Sequence, residues 1–175
     1  MPRTDSSKRY SMDQFTAIRR YQPTLAFSPD GSEVAYSTNT SGQFNVWRQP
    51  SDGGYPRQLT LYTEKAVRDV SWSPDGETIL FGPTPLHLWL YGQDQTDWRI
   101  QAVGSDGSDL REIIPGPDVG APSWTAGGRQ FLFTETNERN SAVRMAAPDG
   151  SGITDVARFH SRDVVTYPIQ QPTTN

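Results

Sequence analysis

Residues 27–31 read Phe-Ser-Pro-Asp-Gly, and residues 72–76 read Trp-Ser-Pro-Asp-Gly. A phrase written twice, 45 residues apart, is a catalytic signature, a ligand loop or structural punctuation. Its chemistry favours punctuation. Ser suits the first position of a type I turn, where its hydroxyl bonds back to the backbone. Pro presets φ at the second position, Asp suits the third, and Gly accepts the positive φ of the last. Apolar residues on both sides then pair as an antiparallel hairpin.

Aligning the chain on Gly31 and Gly76 brings out a third copy at Gly128. Leu25-Ala26-Phe27, Val70-Ser71-Trp72 and Pro122-Ser123-Trp124 precede the three turns. Val34-Ala35-Tyr36, Ile79-Leu80-Phe81 and Phe131-Leu132-Phe133 follow them. The third turn, Thr125-Ala126-Gly127-Gly128, is degenerate but keeps the final glycine. A second landmark recurs downstream as Asp52-Gly53, Asp106-Gly107 and Asp149-Gly150. Six residues before each Asp stands Val46, Ile100 or Val143, and seven after it Leu59, Ile113 or Val156. Repeats one and three agree in their turn-to-turn distance of 21 residues, and repeat two carries nine more.

Each repeat therefore holds four short strands, in the first at about 24–28, 33–38, 44–49 and 56–60. Tandem four-stranded antiparallel units of about 40–45 residues describe β-propeller blades. The expected fold is all-β, a partial propeller of about three blades with a short N-terminal helix. One blade cannot bury both faces of its own sheet, so neighbours must stack on it. The aromatics Phe27, Trp72 and Trp124 are expected between the stacked layers. The divisions are a polar tail and leading helix at 1–21, blades at 22–66, 67–117 and 118–160, and a tail or fourth-blade start at 161–175. The helix rests on Ser11 and Gln14 as a capping box and on Met12, Phe15 and Ile18 at helical spacing. Val164-Val165-Thr166-Tyr167 would open the fourth blade.

The segments "LAFSPDGSEVAYSTN", "NVWRQPSDGGYPRQLT" and "VSWSPDGETILF", with "YSMDQFTAIRRY" leading into them, resemble the N-terminal propeller of the prolyl oligopeptidase family of serine peptidases. That family includes dipeptidyl and acylaminoacyl peptidases. The propeller of the Tol translocation system uses nearly the same blade phrase. The likeness spans about residues 11–157. It implies a non-catalytic propeller portion that restricts or selects peptide access to a hydrolase domain absent from this chain. The alternative is a stand-alone Tol-type or WD-like propeller that binds a protein partner. A hydrolase nucleophile would sit in Gly-x-Ser-x-Gly, and no serine here has glycine two positions away on both sides. Ser151 lies directly between Gly150 and Gly152, which is the wrong spacing. No residue is assigned a catalytic, cofactor-binding or metal-ligating role, and no cofactor is expected.

The remaining chemistry is sparse. His87 and His160 stand 73 residues apart, with packing and surface roles as their defaults. "GSDGSD" at 104–109 superficially resembles a calcium loop but lacks its further acidic ligands and terminal Glu, so a hairpin turn is expected. In the insertion at 83–98, Pro83 and Pro85 are expected to break the strand, and Leu86, Leu88, Trp89, Leu90 and Tyr91 to fold over their own blade or form part of its third strand, in preference to an exposed binding surface. The net charge of −4 argues against a nucleic-acid partner. Cysteine is absent and no apolar run reaches membrane-spanning length, so a cytoplasmic chain with no membrane partner is expected. Three blades form an arc with two uncovered faces, whereas propellers close with about four to eight. In descending order of preference, the chain is a fragment of a longer peptidase, pairs with a second copy, or is capped by its own tail. The expected partners are thus a peptide substrate or protein, and the missing hydrolase domain or a second copy.

Overall fold

The computed structural model describes residues 19–85, 98–116, 118–137 and 140–160. The expected leading helix, the cluster at 86–91 with His87, and the tail at 161–175 lie outside these residues.

Among the described residues, twelve strands form three antiparallel sheets, each a meander of four consecutive strands. Blade 1 comprises β1 (Tyr21–Phe27), β2 (Glu33–Thr38), β3 (Asn45–Pro50) and β4 (Arg57–Gln58). Blade 2 comprises β5 (Lys65–Trp72), β6 (Thr78–Pro85), β7 (Ile100–Gly104) and β8 (Arg111–Ile114). Blade 3 comprises β9 (Val119–Trp124), β10 (Phe131–Thr136), β11 (Asn140–Ala146) and β12 (Thr154–His160). The chain is an all-β partial propeller.

The repeated phrase works as punctuation. The Gly31 amide donates to the Ser28 carbonyl at 2.9 Å and the Gly76 amide to Ser73 at 2.9 Å. Gly128 does the same to Thr125 at 2.9 Å, so the degenerate turn keeps the backbone closure. The Ser28 hydroxyl donates to Asp30 at 2.6 Å and the Ser32 amide donates to it at 3.0 Å. These bonds, the Ser28 hydroxyl first, hold the Asp30 carboxyl down at about 2. Ser73 and Glu77 repeat the arrangement around Asp75, again lowering its pKa. The second landmark closes likewise, with Gly107 donating to Gly104 and Gly150 to Ala147, both at 2.8 Å.

Stacking supplies the core. Ala35, Val46 and Leu59 of blade 1 meet Val70, Trp72, Ile79, Phe81 and Val103 of blade 2 in one buried cluster. Leu80, Ile100, Ala102 and Ile113 on the other face of blade 2 meet Trp124, Phe131, Phe133 and Ala146 of blade 3. Blade 2 is thus covered on both faces, which is why β6 reads Thr-Ile-Leu-Phe, with three consecutive apolar residues. Polar ties cross each joint: the Ser37 hydroxyl donates to the Val67 carbonyl at 2.8 Å, and the Trp124 amide to the Ser71 hydroxyl at 3.1 Å.

A buried polar knot lies beside the first joint. Asn45 accepts at Oδ1 from the Thr60 hydroxyl and the Tyr62 amide, both at 2.8 Å. Its Nδ2 donates to the Gln43 and Tyr62 carbonyls at 3.2 and 3.1 Å. All four hydrogen-bonding positions of the amide are filled, as burial demands. The knot fixes the path from the outer strand of blade 1 to the inner strand of blade 2.

Two expectations need correction. Pro83 and Pro85 do not break a strand: β6 runs through both, in register with Val67 and Lys65 of β5. Pairing of β6 with β7 stops at Phe81 and Gln101, so the prolines deprive no ladder of a donor on that side. Phe27 is not packed between layers, because no described sheet covers the outer face of blade 1.

Candidate inner-strand cleft

Each sheet runs from an inner first strand to an outer fourth strand, and β1, β5 and β9 lie side by side at the inside of the arc. A cleft of about 400 Å³ opens between them, lined by Gln22, Thr24, Arg68, Asp69, Ala121 and Ser123 with apolar walls from Pro23, Val70 and Pro122.

The cleft exists because all three inner strands are irregular at one repeat position. Pairing slips between Tyr21 and Leu25 in β1, between Arg68 and Val70 in β5, and between Gly120 and Ser123 in β9. Thr24, Asp69 and Ala121 each stand seven residues before their turn glycine. Asp69 and Ala121 adopt φ of 47° and 49°, a left-handed conformation that a non-glycine residue holds only when its surroundings impose it. Such bulges re-aim side chains. Here they direct one residue per blade to a common place.

The electrostatics follow from that placement. Burial pushes the Asp69 carboxyl above its ordinary pKa, while the Arg68 charge and a hydrogen bond from the Ala121 amide oppose the rise. That hydrogen bond crosses from blade 2 to blade 3. The Arg68 guanidinium lies over the Trp98 ring, 4.5 Å from its centroid. A Cβ at position 120 would come within 3.1 Å of the Trp98 ring, so Gly120 lets the indole seat itself against β9. Thr24 contributes a buried hydroxyl oxygen that has no hydrogen-bond partner in the structure. The arrangement offers one fixed cation, one desolvated carboxylate and two hydroxyls among apolar walls. That mixture suits orientation of a bound chain segment and supplies no activated nucleophile.

The residues weighed in the sequence fall elsewhere. The segment 104–109 forms a hairpin turn, with the Gly104 amide donating to the Ser108 carbonyl at 2.7 Å and the Ser108 amide to Asp106 at 2.9 Å. The Ser151 hydroxyl donates to Asp149 at 2.7 Å within its own turn. The backbone of His160 ends β12 opposite Asn140, and His87 lies outside the described residues. No motif in the sequence marks Arg68 or Asp69. The signal that finds them is the fixed offset from the turn glycine, which marks one inner-strand position per blade.

No protein-family model matches the chain. An uncharacterised protein of Agrobacterium fabrum is 25% identical over 115 residues, covering 61% of this chain and 37% of that protein. A putative tricorn protease homolog of Streptomyces coelicolor is 32% identical over 124 residues, covering 67% of this chain and 10% of the relative. The chain therefore spans well under half the length of either. Among solved structures, a putative TolB from Agrobacterium tumefaciens superposes with a TM-score of 0.65 at 21% identity, over 78% of this chain and 46% of that one. The β-propeller domain of the Trilobed protease from Pyrococcus furiosus gives 0.54 at 12% identity, over 81% and 43%. The fold is thus the one shared by TolB-type propellers and peptidase propeller domains. Among the described residues no helix is long and apolar enough to cross a membrane.

Proposed function

We propose that this chain is a non-catalytic recognition module that binds a peptide or protein segment in the inner-strand cleft. The observation that carries the proposal is the convergence of Thr24, Asp69 and Ala121, one from each blade, beside the Trp98-braced Arg68. Apolar walls with a few fixed polar groups match what an extended chain presents: side-chain surface together with unpaired amides and carbonyls.

A second reading is that the module gates peptide entry to a peptidase. It draws on the 32% identity to the protein named a tricorn protease homolog and on the peptidase propellers that share the fold. The cleft serves in both readings, and in neither does this chain cut a peptide.

The test is selection of a random fluorescent peptide library on the immobilised chain, followed by anisotropy titration of enriched sequences. Arg68→Ala and Asp69→Asn are each expected to weaken binding about tenfold, the loss of roughly one charge-assisted hydrogen bond. Equal binding by the wild type and both variants, or no enrichment at all, would place recognition elsewhere. Hydrolysis of an enriched peptide by the purified chain would contradict the non-catalytic assignment.

A further inference from the structure

The chain carries five Asp-Gly pairs, beginning at Asp30, Asp52, Asp75, Asp106 and Asp149, and each closes a hairpin turn. Asp-Gly is the pair at which a peptide backbone rearranges most readily, because glycine has no Cβ to keep its amide nitrogen from the aspartyl carboxyl. The five differ in how the structure restrains that carboxyl.

Four are held. Asp30 accepts from the Ser28 hydroxyl at 2.6 Å, the Ser32 hydroxyl at 2.8 Å and the Ser32 amide at 3.0 Å. Asp75 accepts from the Ser73 hydroxyl at 2.5 Å and the Glu77 amide at 3.0 Å. Asp106 accepts from the Ser108 amide at 2.9 Å. Asp149 accepts from the Ser151 amide at 2.9 Å and the Ser151 hydroxyl at 2.7 Å. In every case the amide two residues on bonds back to the carboxylate. A serine hydroxyl is the first cause holding each of these four carboxyls below its ordinary pKa.

Asp52 is different. It accepts no hydrogen bond and joins no ion pair among the described residues. Two positions on stands Gly54, which has no hydroxyl to offer and whose φ of +133° suits glycine alone. The Gly53 amide donates to the Pro50 carbonyl at 3.2 Å, against 2.8–2.9 Å for the closures of the other four pairs. Residues 51–57 are exposed, and a Cβ at Gly53 would meet nothing within 4 Å. Carboxyl and amide are thus free to approach each other.

We propose that Asp52 is a site of spontaneous isoaspartate formation, and that the turns protect the other four pairs. The Gly53 amide nitrogen forms a bond to the Asp52 side-chain carbonyl carbon. A carboxyl oxygen leaves as water, taking the acid proton and the amide hydrogen, and a cyclic imide remains. Water then cleaves one of the two imide C–N bonds. Cleavage at the side-chain carbonyl restores aspartate. Cleavage at the main-chain carbonyl leaves the backbone running through the Asp52 Cβ, one methylene longer, with a free α-carboxylate. The lengthened segment leads into β4, the two-residue outer edge of blade 1, and lies away from the inner-strand cleft.

Ageing the folded full chain at neutral pH and body temperature, followed by peptide mapping with electron-transfer fragmentation, tests the proposal. Isoaspartate is expected at Asp52 at about ten times its level at each of the other four pairs, the rate factor of roughly one hydrogen bond to a charged group. In concentrated urea, where the turns are lost, the five pairs are expected to react at similar rates. Ser151→Ala, which removes one hydroxyl bond, is expected to raise isoaspartate at Asp149 several-fold and leave Asp52 unchanged. Equal accumulation at all five pairs of the folded chain, or none at Asp52, would overturn the proposal. An Asp52 excess that persists in urea would also overturn it, because local sequence and not the fold would then explain the excess. So would an Asp149 rate that ignores Ser151→Ala, since the turn bonds would then protect nothing.

Discussion

Replacing Gly150 by alanine is expected to cost about 3 kcal/mol of folding stability, a large share of what a domain of this size holds. Gly150 sits at φ +83°, where a Cβ carries a penalty of about 1–2 kcal/mol. The added methyl would also drive into the Ile113 carbonyl oxygen and lie 3.1 Å from its carbonyl carbon. These are backbone atoms of β8, anchored in the blade 2 sheet, so no rotamer change relieves the clash. The turn of blade 3 would have to lift off blade 2. Gly42→Ala supplies the control: its φ is +96° but its Cβ would meet nothing within 4 Å, so about 1 kcal/mol is expected from conformation alone. Urea unfolding of both variants measures the difference. Equal losses would mean that the second joint is not packed as described.

Phe133→Ala is expected to destabilise by about 3–5 kcal/mol, the cost of emptying a fully buried aromatic site. The ring packs 5.9 Å from Phe131, which in turn packs edge-on against Trp124 at 5.8 Å, all within the second joint. The same repeat position in blade 1 is Tyr36. It is half-buried and its hydroxyl donates to Gln49 at 2.7 Å. Tyr36→Ala is expected to cost about 1–2 kcal/mol, because no described sheet covers the outer face of blade 1. The pair separates burial by a neighbouring blade from burial within a blade. Similar losses at both positions would show that stacking contributes little.

The sequence makes the turns legible because their chemistry is local. Ser, Pro, Asp and Gly each meet a requirement set within four residues, and the offset between turns then reports the strand count. That logic reaches the meander topology of each sheet and the alternation of Ile79, Leu80 and Phe81 between two joints. It does not reach Asp69 and Ala121, because no local rule asks a non-glycine residue to adopt φ near +50° in the middle of a strand. Contacts between blades impose that conformation, and they appear only once three inner strands stand together. The role of Asn45 is hidden for a related reason: it falls inside the strand expected at 44–49, while its partners Thr60 and Tyr62 come from the far side of the next hairpin. Pro83 and Pro85 read as strand breakers because local sequence does not say on which side a strand is paired. Phe27 reads as a core aromatic by its equivalence with Trp72 and Trp124, and it is the absence of a preceding described sheet that leaves it exposed.

The stacking of consecutive sheets, turn upon turn, is tested most directly by nuclear Overhauser contacts from four glycines. Protons on Gly76 are expected to lie near the Pro29 ring, those on Gly128 near the Pro74 ring, those on Gly107 near a Leu59 methyl and those on Gly150 near an Ile113 methyl. Each contact crosses from one sheet to the one before it and occurs within a single copy of the chain. All four together would establish separate sheets stacked in sequence order. Glycine protons that contact only their own hairpins, or strands of different repeats hydrogen-bonded into one continuous sheet, would contradict the propeller architecture and with it the inner-strand cleft.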